Sequence, residues 1–150
     1  MSFLKAIPSG LIGAVTLTVL HETVRRVVPN APRVHVLGMR AIAKSLRKMD
    51  QEPPSDERLF RAALVGEVFS NSLYYSVVGF SKPKYALRNG TLLGLAAGVG
   101  AVLLPGPLGL GKAPSARTPA TAAMTVAWYL IGGLVAGLAY RTRAKRKRKK

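Results

Sequence analysis

The stretch Thr118–Tyr140 reads TPATAAMTVAWYLIGGLVAGLAY, 23 residues without a formal charge, and RTRAKRKRKK follows it directly at 141–150. About 20 consecutive, mostly apolar residues cross a bilayer as a helix. This stretch is therefore long enough to span. The eight Lys and Arg behind it mark the point where a span would meet charged headgroups.

Working outward, Asn89–Gly111 is a second uncharged run, also 23 residues long. Leu59–Phe80 is a third apolar segment, with Arg61 near its start and Glu67 inside it. Phe3–Leu20 is a fourth; its uncharged part, Ala6–Leu20, has only 15 residues and is marginal as a span. It carries Pro8, Gly10 and Gly13 and runs into His21-Glu22 rather than a small-residue cleavage site, so it reads as a retained helix rather than a leader. The Pro8-Ser9-Gly10 triplet places the start of regular helix near Ser9, and Pro29 stops it after Val28.

Composition agrees with a membrane chain. The 150 residues carry 23 Lys+Arg against 6 Asp+Glu, a net charge of +17, yet 49% are hydrophobic. The pI is about 11.2 and the mean hydropathy +0.20. Disorder is excluded, because a disordered chain is poor in apolar residues. A histone-like soluble protein is disfavoured, because its charge would be spread out and its apolar runs short. The absence of Cys excludes disulfides, thiol catalysis, thiolate zinc and iron–sulfur clusters.

Between the first two apolar segments, Asn30-Ala31-Pro32 breaks the chain and a helix resumes over 33–49. At 100° per residue Arg33, Arg40, Lys44, Arg47 and Lys48 share one face, opposite His35, Met39, Ile42, Leu46 and Met49. That is the pattern of a helix lying in the membrane interface. The alternative is a surface helix packed on another protein element. Asp50–Glu57 then holds four of the six acidic residues, with Ser55 placed as an N-cap for the next helix.

The sequence thus predicts an all-α membrane protein in one domain. About four transmembrane helices, near 3–28, 59–80, 89–110 and 118–140, accompany an interfacial helix at 33–49 and a polybasic tail at 141–150. Charge leaves a conflict. Cations collect on the cytoplasmic side of short loops. Four crossings put the tail inside and the Arg33–Lys48 helix outside. Three crossings, with 89–111 re-entering, would place both inside.

Glu67, Asn71 and Tyr74 fall on one helix face with Ser70 beside them. An ionisable group inside a span is costly and points to function. If the first two long helices run antiparallel, His21 and Arg25 come near Glu67. The group His21, Glu22, Arg25, Glu67, Asn71 and Tyr74 then forms an intramembrane polar cluster, able to handle protons or ions or simply to join two helices. Gly90, Gly94 and Gly98 make a stripe that permits close helix approach, and Gly133 and Gly137 supply a matching one. Intramolecular packing is one use for them, an oligomer seam the other. Tyr140 beside Arg141 fits an interfacial anchor, whereas Trp128 lies near mid-helix and points to a protein interior.

Catalytic and metal motifs fail. Gly106–Ala113 imitates a phosphate loop but ends in Ala113 and Pro114, losing both the magnesium hydroxyl and the helix. His21-Glu22 begins a zincin pattern that breaks at Arg25. The Asn89 sequon abuts an apolar run and has no room for a glycan. No metal or cofactor is expected. The tail, with Arg141, Arg143 and Lys145 nearest the span, and the cations of 33–48 suit anionic lipid headgroups. Nucleic acid would bind only without sequence preference. The leading expectation is a non-enzymatic inner-membrane protein with a cytoplasmic C-terminus, serving as a structural or accessory component, alone, as a homo-oligomer or in a larger membrane complex. The alternatives are a small transporter- or channel-like oligomer using Glu67, and an enzyme acting on a lipid phosphate.

Overall fold

The computed structural model describes residues 3–148. Five α-helices follow one another: α1 (Phe3–Val24), α2 (Val34–Lys48), α3 (Asp56–Ser76), α4 (Ala86–Leu103) and α5 (Pro119–Arg148). Two short 3-10 turns, Val77–Phe80 and Pro83–Tyr85, join α3 to α4, and there is no strand among the described residues. Three segments are long and apolar enough to cross a membrane: Phe3–Val24, Pro83–Leu103 and Pro119–Arg146. The helix that falls short is α3, which carries Asp56, Glu57, Arg58 and Arg61 in its first two turns. Residues 89–103 of the 89–111 run lie in α4, which is unbroken to Leu103 and stops where Pro105-Gly106-Pro107 begins.

Boundaries differ from the sequence reading for local reasons. α1 starts at Phe3 rather than Ser9, because Pro8 deprives only the Leu4 carbonyl of a partner and Leu4 lies exposed. It ends at Val24 instead of Val28, although the Arg25 N–H still bonds to His21 O at 3.1 Å and turns continue to Pro29. α2 closes through Asp50 in the left-handed conformation, φ 54°, which Asp tolerates better than most residues. Ser55 stands at the N-cap of α3, but its hydroxyl makes no capping bond. α5 continues through the tail to Arg148, since Arg, Lys and Ala are good helix formers and no Gly or Pro interrupts them.

Small residues set the packing. α1 runs antiparallel to α3 along its whole length: Phe3 stacks on Phe80 with ring centroids 5.6 Å apart, Gly10 faces Ser72 and Ser76, and His21 meets Glu67. Gly13 on the adjoining face of α1 lies against Gly132 and Ala136 of α5. α4 and α5 are also antiparallel, with Gly90 on Gly133 and Gly137, Gly94 on Tyr129 and Leu130, and Gly98 on Val126. Tyr75 is fully buried and donates its hydroxyl to Tyr129 O at 2.8 Å, tying α3 to α5.

The molecule therefore has two different ends. One gathers the start of α1, Phe80, the start of α4 and the basic end of α5. The other gathers the end of α1, α2, the start of α3 and the 104–118 loop. Five of the six acidic residues lie at the α2 end, and Glu67 lies just inside it.

Candidate functional site

His21 sits one turn before the end of α1 and is 3% exposed. Its Nδ1 lies 3.2 Å from Glu67 Oε1. Where the carboxylate is ionised it only accepts, and Nδ1 then carries the hydrogen of this bond. The Trp128 and Tyr129 rings pack edgewise on the imidazole with centroids 5.2 and 5.7 Å away. His21 Nε2 is buried without a partner. The charged neighbours form an outer layer. Arg25 Nε donates to Glu22 Oε2 at 2.8 Å, and His35 Nδ1 lies 3.8 Å from Glu22 Oε1. Arg25 also covers the Phe60 ring at 5.4 Å. Burial holds the His35 imidazole below its usual range, with Arg25 adding to the effect and Glu22 opposing it.

The structure thus brings His21 to Glu67 and leaves Arg25 on Glu22. Arg61, the other cation near the start of α3, pairs with Glu57 at the surface. Glu67, Ser70, Asn71 and Tyr74 line an open cleft of about 730 Å³, whose other walls are small and aliphatic residues of α2 and α4, the 104–110 loop and Tyr129 of α5. Within it, Tyr74 donates to Leu93 O at 2.9 Å and Ser70 to Glu67 O at 3.3 Å.

On the other flank of α2 lies a cavity of about 890 Å³ lined by Arg40, Lys44, Arg47, Lys48 and Lys112, with Asp56 as the one carboxylate on its wall. Arg40 Nη1 donates to Leu110 O at 2.9 Å and Lys112 O at 2.8 Å, and Lys44 Nζ donates to Leu108 O at 2.7 Å. The loop turns its carbonyls toward these cations through Gly109 and Gly111, both at positive φ (66° and 78°). The stretch that imitates a phosphate loop thus presents acceptors, the opposite polarity from a phosphate cradle. Arg47 and Lys48 are exposed; Arg33 is exposed too and lies outside this wall. The face of α2 that meets α3 carries Val34 and Gly38, the latter against Ala63, whereas Met49 of the expected apolar face is 68% exposed.

At the far end Arg141 and Lys145 join Lys82 and Lys84 around a cavity of about 390 Å³, and Arg143 projects elsewhere. The Lys84 and Arg88 cations lie over the Tyr85 ring at 4.7 and 4.9 Å. No group of three His, Cys, Asp or Glu able to hold a metal occurs among the described residues.

Sequence reasoning missed the lock between the 29–31 turn and the start of α5. Arg117 donates to Ala31 O at 3.0 Å and Thr121 Oγ1 to Asn30 O at 2.8 Å. It missed equally the loop carbonyls that engage Arg40 and Lys44; paired Gly109 and Gly111 were the available signal. No family model matches the chain, and no curated protein or solved structure matches it.

Proposed function

We propose that the chain is a non-enzymatic, multi-pass membrane protein that holds an anionic phospholipid headgroup at its α2 end, as an accessory or structural component of the membrane. The observation that carries this reading is the groove where Arg40, Lys44, Arg47, Lys48 and Lys112 face one cavity with Asp56 alone opposing them. The groove lies at the end of apolar helices, where a bilayer presents its phosphates. α3 supports a fourth crossing, because it accompanies α1 from Phe3 to His21 and its polar face, Glu67 included, turns to protein rather than lipid. α2 then lies in the interface opposite the polybasic end of α5, which faces the cytoplasm.

Each cation near an anionic surface contributes about 1 kcal/mol. Arg47 and Lys48 are exposed and support no other part of the fold through a hydrogen bond among the described residues. Replacing both with Gln removes about 2 kcal/mol, close to a 30-fold loss of affinity. The full chain in nanodiscs containing phosphatidylglycerol and phosphatidylcholine, followed by native mass spectrometry, should retain the anionic lipid. R47Q/K48Q should lose it. Equal retention of both lipids, or unchanged retention by the double variant, refutes the reading. Retention that free phosphate abolishes would assign the groove to the soluble ion instead.

A further inference from the structure

α2 divides two cavities of opposite character. Its cationic flank faces the groove described above. Behind it, the 730 Å³ cavity has no Lys or Arg on its wall, and Glu67 is its one formally charged residue. That volume suits a small organic ligand.

The carboxylate there is incompletely matched. His21 engages Oε1, no hydrogen bond among the described residues reaches Oε2, and the side chain keeps 10% of its surface open on the cavity wall. The hydroxyls of Ser70 and Tyr74 are already given to backbone carbonyls. A carboxylate in apolar surroundings needs a compensating charge. A ligand bearing a positive charge supplies one, and Tyr74 and Tyr129 on the same wall add aromatic surface that favours cations.

We propose that this cavity binds a monovalent cation with a bulky apolar body, its charge set against the Glu67 oxygen that His21 does not engage. The other ionisable groups nearby are engaged elsewhere or uncharged. Glu22 and Arg25 of α1 offset each other, His35 of α2 is directed to Glu22, and Tyr74 and Tyr75 of α3 and Tyr129 of α5 are phenols. The wall contributed by α4, Ala96 to Ala101, brings no ionisable group. The site is independent of the lipid groove, and R47Q/K48Q should leave it unchanged.

The test uses the full chain in detergent micelles with tetraphenylphosphonium as probe and triphenylphosphine oxide as a neutral control. Calorimetry reads the binding. The expected result is binding of the cation over the neutral compound. Glu67→Gln should weaken binding about 100-fold, as for a buried charge losing its partner. Trp128 emission, beside His21, reports whether each variant is folded. Should Glu67→Gln fail to fold, Ala97→Phe fills the cavity from α4 and should abolish binding with the pair intact. Equal binding of cation and neutral control, unchanged binding in folded Glu67→Gln, or binding retained by Ala97→Phe would each overturn the proposal.

Discussion

Gly94 and Gly66 offer the same chemical change in two opposite environments. A Cβ on Gly94 would come 2.5 Å from the Tyr129 carbonyl oxygen and 2.8 Å from Leu130 Cα. Favourable non-bonded separations are about 3.5–4.0 Å, so α4 and α5 would have to part by roughly 1 Å. Both obstacles are backbone atoms, and neither can rotate away. The neighbouring contacts of Gly90 and Gly98 would open with them. Overpacking of this kind costs about 1–3 kcal/mol; here the upper half applies, because several contacts move together. The better helix propensity of Ala returns at most about 1 kcal/mol. Gly94→Ala should therefore destabilise the protein by about 1–2 kcal/mol. A Cβ on Gly66 of α3 meets nothing within 4 Å. Gly66→Ala should instead stabilise by about 0.5–1 kcal/mol. The two variants then differ by about 1.5–3 kcal/mol, a factor of about 10 or more in the folding equilibrium. Reversible unfolding in dodecyl sulfate, followed through the single Trp, Trp128, measures both. A Gly94→Ala protein as stable as the parent, or a Gly66→Ala protein less stable than Gly94→Ala, would refute the close α4–α5 contact.

Thr121→Val keeps the shape of a fully buried side chain but withdraws the donor from Asn30 O; it should cost about 1–3 kcal/mol in the same unfolding assay, while Thr121→Ser stays near the parent. The His35 imidazole is held neutral by burial and by Arg25, so its folded pKa lies below its unfolded one. The unfolded chain then binds more protons as the pH drops. Stability should fall from about pH 6.5 downward until the folded pKa is passed, and His35→Gln should flatten that slope; an unchanged slope would exclude His35 as its source.

The apolar runs make the long helices legible, because a 20-residue uncharged stretch leaves few other structures open. The Gly90, Gly94 and Gly98 spacing marks a close-approach face, and Gly133 and Gly137 lie opposite it in the fold. His21 and Glu67 were also legible as partners, from the antiparallel expectation alone. What stayed hidden is of another kind. Whether Arg25 turns to Glu67 or to Glu22 depends on a side-chain choice among neighbours one turn apart. The engagement of Arg40 and Lys44 depends on backbone carbonyls, which every residue owns and no residue type announces. The part of α2 that meets α3 was read incompletely for a related reason. Small residues such as Gly38 let Ala63 approach, and a hydropathy pattern gives Gly little weight although it admits the closest contact.

The charge conflict in the sequence eases once the acids and the engaged cations are placed. At the α2 end Arg25 is held by Glu22, Arg61 by Glu57, Arg117 by Ala31 O, and Arg40 and Lys44 by loop carbonyls. At the other end the described residues include no acid, and Lys82, Lys84, Arg141 and Lys145 surround open space. Arg47 and Lys48 stay free at the α2 end, but five of the six acids lie there to offset them; the α5 end has none among the described residues, and that is the end we assign to the cytoplasm. Orientation can be tested on a chain without Cys. Ser45 and Lys112 belong to the same end of the fold and Lys84 to the opposite one. With a single Cys at each position in turn, an impermeant maleimide applied to intact cells should label Ser45→Cys and Lys112→Cys and spare Lys84→Cys until the membrane is opened. Labelling of Ser45→Cys and Lys84→Cys from the same side would mean that α3 does not cross. Labelling of Lys84→Cys alone would keep four crossings and invert them, which would put the free cations outside and remove the charge argument for the orientation.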